Sequence, residues 1–170
     1  MSKQETKKKG GGIASTLCRI IGILFIAVVI ATCLPLTIPT LFGYEIYNVE
    51  TGSMSPEIPV GSVIYVEHTA PEDIVTDDVI TYVLEGATIT HRVVENRIVE
   101  GEFVTKGDAN ESHDMAPVPY DNLVGKVKYH FPVLGKLLIV YSTFLGKIYV
   151  LAFAACGVLL NILGSMLKKR

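Results

Sequence analysis

Two uncharged apolar runs constrain this chain more than anything else in its sequence. Residues 20–36 are rich in Ile, Val, Leu and Ala and contain no charged side chain, and residues 13–17 extend the run toward the N-terminus. Residues 148–167 form the second run, with Lys147 before it and Lys168, Lys169 and Arg170 after it. A helix that crosses the hydrocarbon core of a bilayer needs about 20 apolar residues, within a range of roughly 17–25. Both runs meet that requirement. The apolar core of a cleaved leader is shorter, about 7–15 residues, and residues 35–43 offer no small-x-small cleavage pattern. The first run therefore reads as an uncleaved anchor, with Pro35 and Pro39 expected to end its helix.

Charge is sorted along the chain in the same way. The first 19 residues carry Lys3, Lys7, Lys8, Lys9 and Arg19 against Glu5, and beyond residue 136 there are four basic residues and no acid. Between them, residues 44–136 hold sixteen Asp and Glu against six Lys and Arg. Basic flanks stay on the cytoplasmic side of a membrane, so two spans leave the acidic middle outside. An acidic middle also argues against nucleic acid, whose phosphates require a basic surface. The organisation expected is a basic, disordered cytoplasmic tail over 1–12, an anchor over 13–42, an extracytoplasmic domain over 43–136 and a second membrane segment over 137–170. Residues 137–145 either extend the second span or lie at the interface, because Lys147 must snorkel if submerged. Cys18, Cys33 and Cys156 all fall in or beside the apolar runs, which leaves the middle without a disulfide framework or a cysteine-based metal site.

The middle reads as β. Residues 62–67, 79–84, 87–95, 97–99, 102–105 and 123–129 are short segments rich in β-branched and aromatic side chains. Glu85-Gly86 and Glu100-Gly101 read as tight turns between successive strands, and no helical period appears before residue 128. The fold class expected is a mainly β domain, a small antiparallel β-barrel or folded sheet, flanked by two transmembrane α-helices.

Candidate chemistry gathers at three places. In Thr51-Gly52-Ser53-Met54-Ser55-Pro56, a glycine beside Ser53 and a proline beyond it suit a turn that presents a hydroxyl and backbone N–H groups to one point. His91 lies in the third of the strands above, sharing a face with Ile89 and Val93 by the two-residue period. Aliphatic neighbours favour the neutral imidazole that a general base must be. His68 reads as a turn residue and His130 as an interfacial one. The polar loop from Gly107 to Asp114 carries Asp108 and Asp114, either of which can orient a histidine. Glu111, His113 and Asp114 lack a zinc-type spacing, so no metal is expected, and the absence of glycine-rich phosphate loops gives no cofactor either.

Those motifs, with Thr90-His91-Arg92 and Thr105-Lys106-Gly107-Asp108 followed by Asp114, resemble type I signal peptidases. The resemblance covers about residues 48–125 and the anchor before them. It is to the branch found in the endoplasmic reticulum, archaea and some Gram-positive bacteria, in which histidine replaces the lysine base. It implies a serine endopeptidase that cleaves exported preproteins after small residues at −1 and −3, near the outer membrane surface. Ser53 is then the nucleophile and His91 the general base. Asp114 is favoured over Asp108 as the orienting carboxylate, with Asp108 supporting the site. The Ser53 N–H and the Thr51 hydroxyl are the implied oxyanion donors. Glu57 departs from the pattern, since many relatives carry Thr or Ser after the proline. Val49, Met54 and Ile58 are candidates for an apolar surface near the anchor, or equally for core. The competing reading is a non-catalytic, membrane-tethered β domain that binds exported chains or membrane partners, the need for partner subunits being left open.

Overall fold

The computed structural model describes residues 6–169. The chain runs α1 (Thr6–Leu41), β1 (Tyr44–Asn48), β2 (Val63–Glu67), β3 (Val79–Leu84), β4 (Ala87–Arg97), β5 (Glu102–Lys106), β6 (Val118–Pro119), β7 (Leu123–Phe131), α2 (Leu134–Ser142) and α3 (Phe144–Lys169). Its described residues divide into a helical unit, those up to 35 with those from 140 onward, and a β unit, residues 36–139.

Among the described residues, α1 and α3 contain two stretches long and apolar enough to cross a membrane, Gly12–Leu41 and Phe144–Lys168. Small residues let them approach closely. A methyl group on Gly22 would meet the Gly157 carbonyl at 2.6 Å, and one on Gly164 would meet the Ser15 carbonyl at 2.9 Å. Such contacts, with the Phe25–Phe153 stack at 4.1 Å, are how helices pair where apolar burial gives no preference over lipid. Two expectations are corrected here. The helix begins at Thr6, inside the segment read as a disordered tail, whose first five residues lie outside the described residues. It also continues through Pro35 and Pro39 and ends only before Gly43, at φ 85°. Proline's fixed φ lies within the helical range, whereas a left-handed glycine redirects the chain.

The β unit is one seven-stranded antiparallel sheet in the order β1-β2-β7-β3-β4-β5-β6. Its two end strands are joined by no ladder among the described residues, so the folded-sheet form of the expectation holds rather than the closed barrel. Residues 97–99 are not a separate strand: Arg97 ends β4 and the next residues turn, closed by the Gly101 N–H to Arg97 carbonyl bond of 2.9 Å. β1 and the two-residue β6 were not among the expected strands. The Glu85-Gly86 turn is as read, with φ 52° and 80°, the pair of positive angles that a two-residue hairpin of matching twist requires.

Apolar residues on the two sides of the sheet form two cores. One gathers Ile74, Ile80, Tyr82, Val93, Phe103 and Val118. The other gathers Met54, Ile58, Ile64 and Val66, with Val49 packed against it. Met54 and Ile58 are thus buried in the β unit and are not a membrane-facing surface. Burying Met54 fixes the chain immediately after Ser53, at a typical gain of about 1.5–3 kcal/mol for a side chain of that size.

Candidate active site

His91 owes its setting to hairpin register. With the turn at residues 85–86, Ile80 faces His91 and Tyr82 faces Ile89 across β3 and β4. Alternation puts Ile80, Tyr82, Ile89, His91 and Val93 on one face of the sheet. The imidazole is consequently buried among them, edge-on to the Tyr82 ring at 6.4 Å. On β5, Thr105 faces Val93 and is fully buried on the same side.

After β5 the chain leaves as the 107–114 loop and returns, the Asp114 N–H donating to the Thr105 carbonyl at 2.9 Å. That bond brings the Asp114 carboxylate beneath the histidine. Asp114 Oδ2 lies 2.6 Å from His91 Nδ1, accepts from Thr105 Oγ1 at 2.6 Å and accepts from the Tyr82 hydroxyl at 3.2 Å. Burial, opposed by the Thr105 hydrogen bond, lifts the Tyr82 phenol to about 12, and the Asp114 charge adds to the rise. Tyr82 therefore remains a donor at any physiological pH.

Asp108 has a different partner. Arg92 Nε and Nη2 grip its two carboxylate oxygens at 2.8 and 2.6 Å, while Nη1 donates to the Asp77 carbonyl at 2.8 Å. Asp108's hydrogen bonds are the main reason the guanidinium holds its proton even more tightly than usual. This planar, two-point grip ties the loop to β4. The two aspartates that the sequence left in competition are thus divided: Asp114 contacts the imidazole and Asp108 contacts Arg92.

Ser53 is brought to the same loop. Its carbonyl accepts from the Ala109 N–H at 2.8 Å, and Gly107 closes the remaining gap. A methyl group on Gly107 would lie 2.7 Å from the Ser53 carbonyl oxygen and 3.0 Å from His91 Nε2. Serine turn and imidazole therefore converge on one glycine. The Ser53 hydroxyl contacts Thr51 Oγ1 at 3.4 Å and is not hydrogen-bonded to His91. Ser53, His91 and Thr51 all line a cleft of about 830 Å³, together with Tyr47, Val49 and Asn110.

His113 is exposed on the loop and lines a separate, smaller hollow with Lys106 and Arg92, while His68 lies exposed beyond β2. Arg92, Thr105 and Gly107 belong to the motifs quoted from the sequence but received no role there, and Tyr82 was not among them. A signal for Tyr82 existed, because a two-residue turn at 85–86 dictates which β3 residues share a face with His91. Nothing in the sequence signalled that Gly107 stands between Ser53 and His91.

No protein-family model matches the chain. It is 41% identical over 90 residues to Signal peptidase I W of Bacillus subtilis (strain 168), an alignment covering 50% of this chain and 47% of that protein. The chain therefore matches about half the length of this curated relative. Both the antiparallel sheet with its two long apolar helices and this similarity accord with the resemblance carried by the motifs: in its matched half, the chain is similar to a type I signal peptidase of the Gram-positive kind.

Proposed function

We propose that this protein is a membrane-bound serine endopeptidase that removes signal peptides from exported preproteins. One observation carries the reading. His91 has one ring nitrogen on a carboxylate, at 2.6 Å from Asp114, and the other against the glycine that also touches Ser53. Asp114 stands to His91 as the orienting acid stands to the base in acyl transfer on unrelated folds, and Ser53 lies close by across Gly107.

In the proposed reaction Asp114 accepts a hydrogen bond from the Nδ1–H of neutral His91, which keeps the proton on Nδ1 and leaves Nε2 with its lone pair. Ser53 Oγ gives up its contact with Thr51, passes its proton to Nε2 and attacks the scissile carbonyl. The Ser53 N–H and the Thr51 hydroxyl stabilise the oxyanion, a contribution of about 3–4 kcal/mol per donor in serine proteases. The imidazolium returns the proton to the leaving amine, and the mature protein departs. Water, deprotonated by the same nitrogen, then hydrolyses the acyl ester and frees the signal peptide with a carboxylate end. The substrates would be preproteins with small residues at −1 and −3. The basic ends would be cytoplasmic, the two apolar helices would both span the cell membrane, and the β unit would face the extracytoplasmic side.

The test is cleavage of a preprotein by the full chain in detergent micelles, beside Ser53→Ala and His91→Ala variants of unchanged thermal stability. Product from the wild type alone is the expected result. Equal product from Ser53→Ala would defeat the reading, and no product from a folded wild type would defeat it in favour of a non-catalytic β domain.

A further inference from the structure

The bonding around Asp114 contains two hydroxyls that the proposed reaction does not use. Asp114 Oδ2 is shared by three neighbours from three adjacent strands: His91 of β4, Thr105 of β5 and Tyr82 of β3. Thr105 is fully buried and Tyr82 nearly so, and the two hydroxyls lie 3.3 Å apart. A buried hydroxyl left unpaired costs about 1–3 kcal/mol, so both are held to this oxygen or to each other. Thr105 has one hydroxyl proton and donates it to Asp114. Tyr82 donates to Asp114 and lies within reach of Thr105 as well. A loop carboxylate bonded only to a histidine could rotate about its own side-chain torsions. One whose Oδ2 is also gripped from two rigid strands presents that oxygen to Nδ1 in a fixed direction.

We propose that Thr105 and Tyr82 are positioning residues: their hydroxyls fix Asp114 Oδ2 on His91 Nδ1, and thereby hold the imidazole in the tautomer whose Nε2 serves Ser53. This rests on the assignment of Ser53, His91 and Asp114 made above. Thr105, with the shorter bond of 2.6 Å, is the principal clamp, and Tyr82 supports it. Neither touches substrate; both act through Asp114.

Three variants separate a hydroxyl effect from a packing effect. Thr105→Val keeps shape and removes the hydroxyl. Thr105→Ser keeps the hydroxyl and removes the methyl group. Tyr82→Phe removes only the phenolic oxygen. Each is assayed for kcat and KM on a preprotein and for thermal stability. The low-field Nδ1–H resonance that disappears in His91→Ala is followed by NMR without substrate. Hydrogen bonds to a charged group are the strong class, so Thr105→Val is expected to lose about 10- to 100-fold in kcat with little change in KM. Its Nδ1–H resonance should shift or broaden. Thr105→Ser should recover most of the activity and the resonance in spite of a lower Tm, and Tyr82→Phe should show a smaller loss in kcat. The reverse order, with Thr105→Val active and Thr105→Ser impaired, would overturn the proposal and leave Thr105 as packing. An unaltered resonance and kcat in Thr105→Val would do the same. The resonance is read without turnover, so a wild type that cleaves nothing would defeat the peptidase reading while this test of the Asp114 clamp still gives its own answer.

Discussion

Replacing Gly107 by alanine should cripple the site with little effect on folding, and the structure allows the size of that effect to be worked out. The added methyl would sit 2.7 Å from the Ser53 carbonyl oxygen, 2.8 Å from the Asn110 side-chain nitrogen and 3.0 Å from His91 Nε2. Comfortable contact begins at about 3.4 Å or more, so Ser53 and the loop must separate by about 0.7 Å and the imidazole must give by about 0.4 Å. Asn110 can swing aside, but the Ser53 oxygen is backbone and is tied to the same loop through Ala109. The displacement therefore falls on the spacing of nucleophile and base. Misplacement of reacting groups by about 1 Å costs on the order of 100-fold, and the expected fall in kcat/KM is about 10- to 100-fold. Gly107 does not have a positive φ, so alanine carries no backbone penalty there. It even gains about 0.4–1 kcal/mol by restricting the unfolded chain, set against an overpacking cost of about 1–3 kcal/mol. Stability should thus change by at most a couple of kcal/mol. The assay is preprotein cleavage under subsaturating substrate, with Tm measured on the same samples. Gly86→Ala is the contrasting control: it has φ 80° and open space around it, and should lose stability while keeping activity. Wild-type kcat/KM in a folded Gly107→Ala protein would refute the idea that this glycine sets the distance between Ser53 and His91.

Asp114→Asn keeps the shape of the side chain but lets an amide face Nδ1, which favours the wrong tautomer; the same change in a serine-protease triad costs about 10⁴-fold in kcat. A comparable fall is expected here, and full activity in a folded variant would remove Asp114 from the reaction. Arg92→Lys exchanges a planar two-point grip for a single ammonium and should cost about 1–2 kcal/mol, read as a lowered Tm. An unchanged Tm would mean that the Asp108 pair is not a structural tie. Tyr82 supplies a pH test. Its pKa is raised from 10.0 to about 12 in the fold, so its contribution to stability is complete below pH 10 and is lost as pH rises through 12. Comparing alkaline unfolding of wild type and Tyr82→Phe isolates this part; parallel loss of stability between pH 10 and 12 in both proteins would contradict it.

The sequence alone was enough to determine the two apolar segments long enough to cross a membrane, the β character of the middle and the three candidate places for chemistry. Span length and charge sorting are properties of composition along the chain, and strand alternation and a two-residue turn act over neighbours, so each can be read locally. The same locality made the Glu85-Gly86 hairpin, and with it the burial of His91, legible in advance. It failed where a local preference met a longer-range influence: Pro35 and Pro39 read as stops, yet α1 continues to a left-handed glycine; for Met54 and Ile58 it left surface and core equally open, and packing decided for the core. What only the tertiary structure decided is how the three chemical places meet. Asp108 and Asp114 differ little as sequence, being acids of one loop. The bond from the Asp114 N–H to Thr105 turns one beneath His91, and the two-point grip of Arg92 draws the other away. Gly107 matters because His91 and Ser53, 16 and 54 positions before it in the chain, approach the same point in space. Such convergence depends on long-range register and on the path of a returning loop, and neither leaves a local trace for the sequence to show.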